Sequence, residues 1–191
     1  GWSIGGMAAH AVAAAAQAEG QPVGAVALLD AYPAEQWSHL AEPTPSEALR
    51  GVLRMAAVEH LVGPDEQMDR DRAIEVLIEA GHPMAALPPE VLAASIRSVV
   101  NGAALIRRGA TARLEHDVLF LRAAAPRPED WLRAEGWRPH VDGRLKIVDV
   151  EATHPDLVRE PAIGAVAAAV AVEIAWQEAR RAGPAGGSCV G

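Results

Sequence analysis

The sequence has little that would staple it, anchor it in lipid or draw it to a polyanion. A single cysteine, Cys189, stands among 191 residues, which excludes an intramolecular disulfide and fits a reducing compartment. It lies in a Gly/Pro/Ser-rich segment, residues 183–191, that reads as a disordered tail, and Cys189 reads there as a bystander. No uninterrupted apolar stretch reaches about 18 residues, so no transmembrane helix is expected. No secretory signal pattern opens the chain. Positive charge is in deficit: 17 Lys and Arg stand against 25 Asp and Glu, for a net charge of −8. Without a basic patch, nucleic acid is not expected as a partner. There is no internal repeat. What remains is 50% hydrophobic and 22% charged, the composition of a globular, cytoplasmic domain long enough for one real core.

The order of elements points to an α/β architecture. Residues 7–19 are dense in strong helix formers, and Gly20 is placed to end that helix. Residues 23–29, VGAVALL, form a short apolar run without alternation, as expected of a parallel strand buried on both faces, and Asp30 closes it. From Pro43 to about Gly109 the pattern is helical only. One helix is expected from a Ser46 cap to about His60, another from Asp69 to Glu79, and a third from Pro88 and Pro89 through Ile106. Three successive helices inside a βα alternation are read as a lid, about 38–112. Alternation then resumes with strands at 116–121 and 144–150, separated by a short helix and loop at 129–137. A last helix opens at Glu160 and Pro161 and runs to about Ala179; its Ala/Val-rich surface suggests that it is well buried. The three strands should be parallel, with an exposed edge that favours aggregation.

The first residues, Gly1-Trp2-Ser3-Ile4-Gly5-Gly6, match G-x-S-x-G. That motif sets a serine on a sharp turn between a strand and a helix, the nucleophile elbow of an α/β-hydrolase. The glycines are expected where side chains would strike the adjoining strand and helix. A strand should precede such a turn, so the chain reads as a piece of a longer one. Acyl transfer then needs a base and an acid that orients it. Of seven histidines, His10 falls on the first helix and His39, His60 and His82 in the helical insertion. His116 opens a strand and His140 precedes the last one. His154 alone lies between the last strand and the last helix, where such folds carry their histidine. For the acid, Asp30 ends the strand next to the elbow helix, at the edge where sites of these sheets lie. The later position after 116–121 begins with Arg122 and three alanines, and its carboxylates Glu129 and Asp130 are farther along; Asp30 is preferred. One oxyanion donor is the Ile4 backbone N–H. The second belongs to a loop after an earlier strand that these residues do not include, and losing one donor costs about 3–4 kcal/mol. The 191 residues alone are therefore expected to be a weak enzyme.

GWSIGG, then VALLDAYP, then a helical insertion, then WRPHVDGRLKIVDVEATHPDLV together resemble the type I thioesterase domain that ends a nonribosomal peptide synthetase, truncated at its N-terminus. The resemblance covers nearly all of the chain except the tail. Tryptophan before the serine leans toward peptide synthetases, the 27-residue step from Ser3 to Asp30 matches the family's early acid, and Trp137 to Gly143 is similar to siderophore-type synthetases. The resemblance implies Ser3, Asp30 and His154 as a catalytic triad. It also implies an acyl or peptidyl chain delivered as a thioester on the phosphopantetheine of a carrier domain, with no cofactor or metal bound directly. Release would follow by hydrolysis or cyclisation. Two other readings stay open: a stand-alone editing thioesterase or esterase, and a non-catalytic remnant of the fold.

Overall fold

The computed structural model describes residues 1–182; the tail, with Cys189, lies outside the described residues. The described chain divides into two compact units, one of residues 1–36 and 111 onward, the other of residues 37–110.

The first unit is a three-stranded parallel sheet in the order β1 (Val26–Leu29), β2 (Val118–Ala123), β3 (Leu145–Val150). Because side chains alternate along each strand, the sheet feeds two cores. On one face Val26, Leu28, Val118 and Phe120 pack with Ala13 and Ala14 of helix α1 (Ile4–Ala18) and with Trp137. On the other, Leu119, Leu121 and Val150 pack with Leu157 and with Val166 of the last helix, which spans Ala162–Ala182. Each fully buried Leu or Phe contributes about 1.5–3 kcal/mol by leaving water. β2 is central, and Val118 to Leu121 are completely buried, which explains its unbroken apolar run. α1 ends at Ala18 with Glu19 as its C-cap, and Gly20 just beyond it, with a positive φ of 71°, makes the left-handed turn that releases the helix.

The second unit holds three helices, α2 (Pro45–Met55), α3 (Arg70–Glu79) and α4 (Pro89–Arg108), making the final helix of the chain α5. Its core is Leu49, Val52, Leu53, Val76, Leu77, Leu92 and Ile96. α3 starts on Asp69, whose side chain accepts the Arg72 N–H.

Several expectations shift. The first strand begins at Val26, not at residue 23, because the Val23 carbonyl is taken by the His116 ring at 3.0 Å rather than by a neighbouring strand. His116 therefore precedes β2 instead of opening it. α2 is capped by Thr44, which forms a reciprocal capping box with Glu47; Ser46 instead accepts from Met68 N–H at 2.8 Å. α2 stops at Met55, well before His60, where Ala57 adopts a positive φ of 60°. The stretch after Arg133 is a 3-10 helix, Ala134–His140. The edge of β1 is covered at its end, since Leu29 exchanges backbone hydrogen bonds with Gly1 and Ser3.

α5 differs most. It is not buried on all sides: Val166, Glu173 and Gln177 are buried, while Val172 is 60% exposed. It seats one face on the sheet, and the buried Glu173 ties that face to Arg144 and Lys146 of the β3 region. By length and composition alone α5 is long and apolar enough to cross a membrane, a test that a core helix of a globular domain also passes.

Candidate active site

The turn at Ser3 is held from both sides. Ser3 N–H donates to Leu29 O at 3.0 Å, Leu29 N–H donates to Gly1 O at 2.8 Å, and Gly6 N–H donates to Ser3 O at 2.9 Å. Ser3 itself has φ 55° and ψ −133°, a backbone state that costs a non-glycine residue about 1–3 kcal/mol. Such strain persists only where surrounding bonds over-determine it, and here the β1 edge and α1 do so. The glycines are unequal. A Cβ on Gly6 would stand 2.3 Å from the Ala31 Cβ and 2.9 Å from Gly1 O, and one on Gly1 would stand 2.1 Å from Gly5 O. A Cβ on Gly5 would meet nothing within 4 Å. The steric need expected of every glycine thus rests on Gly1 and Gly6. Ile4 opens α1, so its N–H falls in the first turn, whose N–H groups have no partner within the helix.

Asp30 follows directly on β1, with φ 47° and its side chain fully buried. Its carboxylate collects donors from four segments. Tyr32 Oη donates to Oδ1 at 2.8 Å and Ala123 N–H at 3.2 Å. The Arg127 guanidinium forks onto both oxygens, at 3.0 and 3.1 Å. His154 Nδ1 donates to Oδ2 at 2.7 Å. Burial alone would push the Asp30 carboxyl up, but the bonds from His154, Tyr32 and Arg127 outweigh it and hold the group below the usual carboxylate range. The same burial, with the Asp30 charge beside it, pushes the Tyr32 phenol well up, so Tyr32 stays a donor.

His154 sits after β3, as its chain position implied. Its ring is fixed from two directions. Besides the Asp30 bond, the Trp2 indole stacks on it at 4.9 Å between centroids, and Trp2 Nε1 donates to His154 O at 3.0 Å. With Nδ1 committed to Asp30, Nε2 is the nitrogen left to act as a base. The structure thus joins Asp30 to His154 directly. Among the described residues Ser3 Oγ makes no hydrogen bond to His154; the link between elbow and imidazole runs through Trp2. Glu129 and Asp130 make no bond to His154 among the described residues.

Three partners were not read from the sequence: Tyr32, Arg127 and the His154 contact of Trp2. An arginine in a loop leaving the C-terminal edge of a strand was a usable signal for Arg127, because that edge is where Asp30 stands. The other histidines lie elsewhere. His10 is 1% exposed and packs on Trp137 at 4.6 Å, and burial lowers its pKa. His140 bonds Thr111 O and faces Glu35. Trp137 supports the site from beneath by donating from Nε1 to the carbonyl of Ala31, next to Asp30, at 2.7 Å. A cavity of about 610 Å³ lined by His116, Asp117, Gly143, Trp176 and Arg180 lies at the opposite end of the strands and includes none of these groups. No cluster of three or more metal-ligating side chains occurs among the described residues. The assembled groups supply a hydroxyl, an imidazole and an oriented carboxylate, the side-chain types that general-base and nucleophilic chemistry uses.

Comparison with known proteins places the chain in a family. A dimodular nonribosomal peptide synthase of Bacillus subtilis (strain 168) is 26% identical over 175 residues, which is 91% of this chain and 7% of that protein. Among solved structures, a four-domain nonribosomal peptide synthetase bound to AMP and glycine superposes with a TM-score of 0.71 at 18% identity, over 89% of this chain and 14% of that one. The NocB thioesterase domain, in covalent complex with a fluorophosphonate nocardicin G analogue, gives 0.60 at 22% identity over 91% of this chain and 64% of that one. The thioesterase domain that cyclises the lipopeptide surfactin gives 0.59 at 15% identity over 89% and 65%. This chain thus spans a small part of the synthetases it matches and just under two thirds of the isolated domains. These likenesses establish the fold as that of the α/β-hydrolase thioesterases. The thioesterase-domain family model matches residues 1–171, and the chain belongs to that family.

Proposed function

We propose that this chain carries the catalytic residues of a release thioesterase, and that Ser3, His154 and Asp30 are its nucleophile, base and orienting acid. The observation that carries the reading is the 2.7 Å bond from His154 Nδ1 to the buried Asp30 carboxylate, beside an elbow serine in a strained backbone state. In the first half-reaction Ser3 Oγ gives its proton to His154 Nε2 and attacks the thioester carbonyl carbon. The oxyanion forms against the Ile4 N–H. The C–S bond breaks, and the departing thiolate takes the proton from His154. In the second, water or a nucleophile within the acyl chain gives its proton to His154 and attacks the ester carbonyl carbon; the bond from that carbon to Ser3 Oγ breaks, and Ser3 Oγ takes the proton back from His154. Asp30 stabilises the imidazolium that exists within each half-reaction.

The nonribosomal peptide synthase relative supports an acyl or peptidyl chain as substrate; we assign its delivery to the phosphopantetheine of an adjacent carrier domain. The helical unit at 37–110 is the segment to which we assign the choice between hydrolysis and cyclisation. An acyl N-acetylcysteamine thioester tests the reading: the full polypeptide should release free thiol, and Ser3→Ala and Asp30→Asn should each lower kcat by at least about 10³-fold. Thiol release that survives Ser3→Ala would overturn it; survival of Asp30→Asn alone would reassign the acid.

A further inference from the structure

Arg127 stands out among the groups around Asp30. It leaves the loop after β2, the position where the sequence offers only distant carboxylates, and it brings a full positive charge to the acid instead. Its side chain is 22% exposed and that of Asp30 is fully buried. Nη2 donates to Oδ1 at 3.0 Å and Nη1 to Oδ2 at 3.1 Å, while Nη2 also donates to Ala123 O at 2.8 Å. The guanidinium carbon lies 5.2 Å from the centre of the Tyr32 ring. Oδ2 is the oxygen that His154 engages, so one fork fixes the plane of the carboxylate that orients the imidazole.

We propose that Arg127 is a positioning residue of this site: it holds the Asp30 carboxylate toward His154 and neutralises part of the charge that the carboxylate presents to the ring. The proposal rests on the assignment of Asp30 and His154 to the triad. Two physical consequences separate it from simple packing. A bidentate guanidinium resists rotation of the carboxylate, which a lysine point charge cannot do. Its charge also sits on the Asp30 carboxylate and helps hold that carboxyl below the usual range, so removing it changes the net charge that faces His154. The charged and titratable groups facing Asp30 are His154 from the loop after β3, Tyr32 from its own segment and Arg127. Arg122 of β2 is committed to Asp149 by two bonds, at 2.7 and 2.9 Å.

The test follows the rate at which a fluorophosphonate labels Ser3 in the full polypeptide, as a function of pH, by intact mass. In Arg127→Gln the acid limb of the profile should move up by about 1 pH unit, the effect of removing an opposite charge a few ångström away. In Arg127→Lys the limb should stay near the wild type while the plateau falls about tenfold, because charge is kept and the fork is lost. A limb in Arg127→Gln that coincides with the wild type overturns the proposal. If Arg127→Gln does not melt cooperatively, Arg127→Lys decides alone, and a plateau equal to the wild type overturns it. Failure of the underlying triad is separate: the wild type would then not label at Ser3, or Asp30→Asn would label like the wild type.

Discussion

Replacing Gly6 with alanine is the sharpest structural perturbation of the elbow. The new Cβ would lie 2.3 Å from the Ala31 Cβ and 2.9 Å from Gly1 O, and both neighbours are fixed by backbone. Ala31 is 2% exposed and cannot move outward, so the first turn of α1 must shift away from the end of β1. Overpacking of this kind costs about 3 kcal/mol. In a domain of this size that lowers Tm by about 6–12 °C. Gly5→Ala is the matched control, since its Cβ meets nothing within 4 Å and lies at an exposed helical position. It should gain about 0.5 kcal/mol from helix propensity and raise Tm by about 1–2 °C. The first turn also carries the Ile4 N–H, and a displacement near 1 Å costs about 10²-fold in rate. Gly6→Ala should therefore label with fluorophosphonate about a hundredfold more slowly, and Gly5→Ala should label normally. Adding Ala31→Gly to Gly6→Ala removes the closer clash and should restore part of the Tm. Equal melting of the two single variants, or no rescue by Ala31→Gly, would refute the steric argument.

The remaining predictions concern the supports of the imidazole and the acid. Trp2→Ala removes both the stack on His154 and the bond to its carbonyl and should slow labelling about tenfold, while Trp2→Phe keeps the ring and should slow it about threefold; equal rates would contradict the stacking role. Trp137→Phe strands the Ala31 carbonyl and should cost about 1–3 kcal/mol by chemical denaturation. Asp30 is held below its unfolded value, so its ionisation stabilises the fold above about pH 4, and that stability is lost as pH falls through the folded value. Acid titration of stability should show this loss in the wild type, and the corresponding part of the slope should be missing in Asp30→Asn.

The apolar runs of β1 and β2 were legible because parallel strands buried on both faces need nearly unbroken hydrophobicity, β3 was legible from Val148 and Val150 on one face of LKIVDV, and the elbow from its G-x-S-x-G pattern, although only Gly1 and Gly6 prove sterically required. Asp30 and His154 followed from position alone: one ends a strand and the other follows the last strand, at the same edge of a parallel sheet. Boundaries were less legible. Val23 is as apolar as a strand residue, yet the His116 ring takes its carbonyl. Ser46 and Thr44 are both good caps, and only tertiary contact with Met68 assigns Ser46 elsewhere. Ala57 carries no sign of the left-handed turn that ends α2. The composition of α5 suggested a helix buried all round, but a helix on the outer face of a sheet buries one stripe, and small Ala and Val side chains do not mark which. Arg127 escaped because pairing with an acid 97 residues earlier leaves no local pattern.

In the proposed function Ser3 is a nucleophile activated through His154 and Asp30. Treating the full polypeptide with a fluorophosphonate and mapping the adduct by peptide mass spectrometry tests it directly. A single adduct on Ser3, lost in Ser3→Ala and slowed at least about 10³-fold in His154→Ala, is the predicted result. No adduct on Ser3, or an adduct that forms at the wild-type rate without His154, would contradict it.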